Sequence, residues 1–87
     1  EIHTGRYANA KMLKDEESEL ESIAQTAKFA YKLGMGVNAG HGLNYRNIRR
    51  VTHIPEIVEY NIGHSIIARA IFVGLQQAVR EMKDLLA

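Results

Sequence analysis

Cysteine is absent from the 87 residues, so neither a disulfide framework nor a thiolate metal site can be built. Tryptophan is absent too, and proline occurs once, at Pro55. No apolar run approaches the ~20 residues that a bilayer-spanning helix needs. A chain without thiols fits a reducing compartment, and a cytoplasmic location is the expectation. An excess of one charge is also missing: 11 Lys and Arg stand against 10 Asp and Glu, a net charge of +1. That balance offers no broad basic field. The one basic cluster, Arg46, Arg49 and Arg50, suits a solvated helix face. Neither nucleic acid nor a membrane is expected as a partner. No Ser-His-Asp arrangement and no dinucleotide-binding glycine fingerprint is present.

What the chain does contain is an ordinary globular composition, 46% hydrophobic and 24% charged, in a length that makes one small domain at most. Glu1-Ile2-His3 reads as the end of a strand already under way, so the chain is expected to be part of a longer one. A polar loop with Gly5 and Asn9 is expected from Thr4 to about Lys14. A helix then begins near Asp15, whose acidic first turn suits the positive end of the helix dipole. Its apolar stripe is Leu20, Ile23, Ala24, Ala27 and Ala30, and Gly34 is placed to end it. Met35 to Ala39 reads as a buried strand running into Gly40-His41-Gly42. Asn44 is expected to cap a short helix reaching Val51, with Ile48 and Val51 inward, and Pro55 closes that region. Ile57 to Ile62 is a third strand, rich in β-branched and aromatic residues. Gly63-His64-Ser65 opens a short helix to about Phe72, and Gly74 divides it from a terminal helix. Ile71, Leu75, Ala78, Val79, Met82 and Leu86 are expected on one inward face.

Strands that alternate with helices argue for parallel βαβ units, an α/β fold. Three such strands are too few to close a barrel. The chemistry-bearing residues follow the strands: Glu1 and His3 at the first, His41 after the second, His64 after the third. In α/β folds that carboxyl edge is where ligands bind.

Gly63 at a strand-to-helix junction can let amide groups approach a phosphate at a helix start. It can equally be a plain turn glycine ahead of a capping Ser65. His41, between two glycines, has the side chain best suited to proton transfer near neutral pH. As a loop histidine it can also serve only local hydrogen bonds. Glu1 can act as a base or stabilise a developing cation. Glu1, His3, His41 and His64 together invite a metal, but no helical His pair supports one, and none is expected. His53 beside Pro55 is expected to be structural or exposed, and the four tyrosines form no stacking platform.

Three motifs then carry a resemblance through nearly the whole chain: Glu1-Ile2-His3-Thr4-Gly5, Val37-Asn38-Ala39-Gly40-His41-Gly42-Leu43, and Glu59-Tyr60-Asn61-Ile62-Gly63-His64 with Ile66-Ile67 and Arg69-Ala70. In content and spacing they look like the final third of the pyridoxine 5′-phosphate synthase family. The resemblance implies a partial (β/α)8 TIM barrel, with residues 1–87 as the C-terminal part of a single barrel domain. That part would hold the last three βα units and a short phosphate-binding helix before the final helix. It implies condensation of 1-deoxy-D-xylulose 5-phosphate with 3-amino-2-oxopropyl phosphate to pyridoxine 5′-phosphate, releasing phosphate and water, with neither metal nor organic cofactor. Residue by residue, it implies His41 as proton donor to a leaving group and Glu1 as the carboxylate that stabilises charged intermediates. Gly42 would contact the amino-ketone phosphate, and Gly63 and His64 would hold a substrate phosphate. Small phosphorylated substrates and a homo-oligomer, an octamer, follow from the same resemblance. The segment alone is expected to be inactive, since the family's other acid–base residues lie on earlier strands. Two other readings compete: a different phosphate-binding barrel enzyme, and a non-catalytic interaction module.

Overall fold

The segments beginning at Val37 and Ile57 build two neighbouring strands, and a third short strand extends the same sheet. The computed structural model describes residues 1–87. Its elements run β1 (Ile2–His3), α1 (Gly5–Asn9), α2 (Leu13–Lys32), β2 (Val37–Gly40), α3 (Ile48–Val51), β3 (Ile57–Asn61), α4 (His64–Val73) and α5 (Leu75–Leu86). The three strands form one parallel sheet in the order β1-β2-β3. Ile2 and His3 align with Ala39 and Gly40, and Ala39 and Gly40 with Tyr60 and Asn61. An irregularity between Val37 and Asn38 skips Val58, which is left exposed.

This register sorts the sheet into two faces. Val37, Ala39 and Ile57 are buried with Ile23 and Ala27 of α2, Ile48 and Val51 of α3, Ile54, and Met82 of α5. Ile48, Val51, Ala27 and Ala39 have no measurable exposure, so this is where deleting a methylene would be felt most. The residues that alternate with these, His3, Gly40 and Asn61, align in one row and carry no apolar side chain. Only 14 of 87 residues are buried, which fits a sheet covered by helices on one face.

α2 runs 20 residues without glycine or proline, and its dipole is met by Asp15 and Glu16 in the first turn. It ends where Gly34 turns left-handed, φ +82°. The helix starts at Leu13, two residues before the expected Asp15. The expected loop before it is partly helical: α1 occupies Gly5–Asn9. Gly5 and Asn9 suggest breakers, but Tyr7 between them is 2% exposed and its hydroxyl donates to the Asn47 carbonyl at 2.6 Å, which anchors the turn. Burial, reinforced by nearby Glu16, pushes that phenol's pKa up.

Two more local expectations are corrected. Asn44 does not cap α3, which begins only at Ile48; its Oδ1 accepts the amides of Arg46 and Asn47, both at 2.9 Å, and folds a turn ahead of the helix. The expected single apolar face across α4 and α5 is broken. Ala78 and Met82 are buried, but Ile71 is 79% exposed and Leu75 and Val79 are also exposed. Gly74 at φ +88° and ψ 154° turns the chain and separates Ile71 from the face of α5, while Leu75 and Val79 flank the buried Ala78 and Met82 within α5 itself. No helix is long and apolar enough to cross a membrane.

Candidate active site

Parallel strands deliver their last residues to one edge, and here that edge is polar. Glu1 stands just before β1, His41 just after β2, and Asn61 closes β3. Gly40 lies between the outer two, and its missing side chain is what lets them meet. A Cβ there would lie 2.6 Å from Glu1 Oε2 and 3.0 Å from Asn61 Cβ. Through that gap the Asn61 amide donates to Glu1 Oε1 at 2.7 Å. The other carboxylate oxygen, Oε2, lies 3.7 Å from His41 Nδ1. Glu1 is therefore oriented by Asn61 on one side and faces the imidazole on the other.

His41 is held from a third direction. Its ring stacks on His3, centroids 3.9 Å apart and planes 22° from parallel. His3 is itself fixed, since its Nδ1 accepts the Gly5 amide at 3.2 Å. Rings stacked in this way present faces to each other and not two ligand nitrogens to one ion. No three His, Asp or Glu side chains are grouped as a metal site requires.

The His41 backbone adopts φ +92°, a left-handed value rare for a residue with a side chain, and Gly42 follows at φ +75°. A conformation of this kind costs on the order of 1–3 kcal/mol and persists only where the surroundings impose it. Gly42 is doubly constrained, because a Cβ there would also meet Ala8 Cβ of α1 at 2.6 Å. Thr4, with no measurable exposure, lies beneath the turn. Its hydroxyl is 2.8 Å from the Gly40 carbonyl and 2.7 Å from the His41 carbonyl, and its amide donates to Gly40 at 2.8 Å. Asn47 completes the support by donating to the Gly42 carbonyl at 3.0 Å.

On the β3 side, α4 begins at His64 with Gly63 as its cap residue and no side-chain cap. The first amides of a helix have no helical acceptor and favour an anion. At Gly63 nothing lies within 4 Å of where a Cβ would stand, so the approach to those amides is open. Ser65 does not cap the helix: its hydroxyl donates to the Leu43 carbonyl at 2.9 Å and ties α4 to the loop after β2.

The five residues singled out from the sequence, Glu1, His41, Gly42, Gly63 and His64, all line one cavity of about 330 Å³. Asn61, in the same wall, carried no role in the sequence reading, and neither did Thr4 below it. Asn61 closes a strand and so belongs to the ligand edge, which was the available signal. The contact it makes depends on Gly40 across the sheet and is not visible locally. His53 is exposed and lies away from this cavity, beside a larger groove of about 560 Å³ that also includes Phe29 and Pro55. That groove gathers no proton-transfer set around a common point, and the smaller cavity is the stronger candidate on chemistry.

Comparison with known proteins shows the family. The family model described as "Pyridoxal phosphate biosynthesis protein PdxJ" matches residues 1–87. The chain is 60% identical over 86 residues to the pyridoxine 5′-phosphate synthase of Geobacter metallireducens, covering 99% of the chain and 36% of that protein. It is 58% identical over 85 residues to the synthase of Geobacter sulfurreducens, covering 98% of the chain and 36% of that protein. The synthase of Synechocystis is 54% identical over 83 residues, covering 95% of the chain and 34% of that protein. The chain thus spans about 36% of the length of the curated relatives it matches most strongly.

Proposed function

The chain belongs to the PdxJ family of pyridoxal phosphate biosynthesis proteins, and on that premise we propose that it supplies the last three βα units of a (β/α)8 pyridoxine 5′-phosphate synthase. Residues 1–87 are then the C-terminal part of a single barrel domain. The row His3, Gly40 and Asn61 faces the barrel interior, and the helices on the other face form its outer layer. The reaction joins 1-deoxy-D-xylulose 5-phosphate to 3-amino-2-oxopropyl phosphate and closes the pyridine ring, with loss of phosphate and water. The observation that carries this reading is the single cavity shared by Glu1, His41, Gly42, Gly63 and His64 at the carboxyl edge of the sheet.

Each residue has a task its surroundings suit. Ring closure requires a proton for each departing oxygen, and the exposed His41 imidazole can deliver one as general acid. Glu1, oriented by Asn61, presents a carboxylate to cationic imine intermediates. Gly42 offers backbone without side-chain obstruction to the amino-ketone phosphate. Gly63 and His64 receive a substrate phosphate at the α4 amides. Binding of that phosphate, remote from the reacting carbons, orients them. These are proton transfers and eliminations, which side chains can serve without an organic cofactor.

The partners are small phosphorylated substrates and further copies of the same protein, an octamer in this reading, working in the cytoplasm. A full-length synthase carrying this segment should release phosphate and form pyridoxine 5′-phosphate from the two substrates, while the 87-residue chain alone should not. Tight phosphate binding without that product would favour a different phosphate-binding barrel enzyme. A cooperatively melting 87-residue monomer with no phosphate affinity would favour an interaction module.

A further inference from the structure

We propose that Thr4 is a positioning residue for the proton donor: its buried hydroxyl holds the His41 turn left-handed and so sets where the imidazole sits. The inference rests on the reading of His41 as the acid of the synthase. Thr4 is the one fully buried polar residue of the chain, so it cannot meet substrate itself. Both of its donors nevertheless point at the segment that carries His41. The amide donates to Gly40, and the hydroxyl reaches the carbonyls of Gly40 and His41 at 2.8 and 2.7 Å.

The chemistry of the two carbonyls shows what the hydroxyl adds. The Gly40 carbonyl already accepts the Thr4 amide as an ordinary extension of the β1–β2 ladder. The His41 carbonyl receives only the hydroxyl from Thr4. Valine has nearly the same shape but no donor, and it would leave the His41 carbonyl without this partner. A hydroxyl at this place therefore acts on the residue at φ +92°, whose strained backbone needs an external hold.

The same strand end also locates the ring. His3, next to Thr4 in sequence, stacks on the imidazole at 3.9 Å, and Glu1 approaches its Nδ1 at 3.7 Å. Thr4, His3 and Glu1, all within the first four residues, thus fix the backbone, the plane and the charged neighbour of His41. If the turn relaxes to an ordinary φ, the side chain leaves both neighbours together.

The test compares Thr4→Val and Thr4→Ser in a full-length synthase carrying this segment, by steady-state kinetics on both substrates and by crystal structures of parent and variants. Thr4→Val should lower kcat by about 100-fold, the scale of a misplaced catalytic group, and leave both KM values within about threefold. Thr4→Ser keeps the hydroxyl and should return kcat to within about threefold of the parent. In the structures His41 should leave the left-handed region in the valine variant and keep it in the serine variant. Parental kcat in Thr4→Val, or equal losses in the two variants, would overturn the proposal. Where Thr4→Val does not fold, Thr4→Ala against Thr4→Ser makes the same comparison. A parent that forms no product would sink the synthase reading, and the His41 conformation in the same crystals would still decide the role of Thr4.

Discussion

Two hollows of this chain differ in the way that matters for function. The groove of about 560 Å³ beside α2 is lined by helix-flank residues such as Lys28, Phe29 and Lys32 and by the His53–Glu56 turn. It is the larger of the two, and it is simply what remains where a helix passes a turn. The cavity of about 330 Å³ at the carboxyl edge is smaller but constrained. It holds the one non-glycine residue at positive φ, a glycine that admits no side chain at Gly42, and a carboxylate locked by an amide. Strain and crowding are costs that an idle surface has no reason to carry. Volume measures how poorly two elements fit together, whereas convergence of chemical groups measures what they were placed to do.

The sharpest way to break this contrast is to remove one histidine from each hollow. On the proposed reading, His41→Ala in a full-length synthase carrying this segment should lower kcat by about 10²- to 10⁴-fold, the range lost with a general acid, with the melting temperature little changed. His53→Ala, beside the larger groove, should leave kcat as it is. A comparable loss in both variants would mean that the two hollows are not functionally distinct.

A finer comparison uses two glycines that bracket β2. Gly40→Ala puts a Cβ 2.6 Å from Glu1 Oε2 and 3.0 Å from Asn61 Cβ. The Glu1 side chain is flexible enough to move aside, so stability should suffer less than activity, with kcat down about tenfold. Gly36 precedes the other end of the strand and meets nothing within 4 Å. Gly36→Ala should change stability by no more than about 0.5 kcal/mol and leave kcat alone. Equal effects from the two, read by urea midpoint and turnover, would remove the special status of the carboxyl edge.

Much of this was legible in the sequence, and the exceptions have a common cause. The periodicity of Leu20, Ile23, Ala24 and Ala27 gave α2, and the run from Ile57 gave β3, because local pattern decides helix and strand. Gly40-His41-Gly42 and Gly63-His64 stood out because they follow strands, where ligands bind in α/β folds, and residues of both line one cavity. The misses depend on partners distant in sequence. α1 forms because Tyr7 reaches Asn47, 40 positions away, and Asn61 matters because Glu1 lies 60 positions before it. Ser65 looked like a helix cap and is instead a tie to Leu43. Ile71 carried the right spacing for an inward face, but the turn at Gly74 separates it from α5. Such residues acquire their roles only once the chain has folded.

The smallest expected effect concerns how the α4 end of the smaller cavity is kept in place. α4 begins at that cavity yet fully buries none of its residues, and besides the Ser65 tie it is held by α5 and by a clamp between the two. Arg69 donates to Glu81 from Nε at 2.9 Å and from Nη2 at 3.4 Å, and Gln77 adds a bond to the same carboxylate at 3.0 Å. The Arg69 bond, with the Gln77 bond second, holds the Glu81 carboxyl below its ordinary range. A carboxyl with a lower pKa in the folded state binds protons less readily there than in the unfolded chain. Its contribution is therefore fully present above the unfolded value, about 4.3, and is lost as pH falls through the folded one. The urea midpoints of parent and Glu81→Gln should differ by a small constant amount from neutral pH down to about pH 5, because both partners are exposed and screened. Below about pH 4 the two curves should draw together as the parent's own carboxyl takes up its proton. Added salt should narrow the neutral-pH gap in the same direction. A gap that survives acid and salt unchanged would show that Glu81 holds α4 by shape alone.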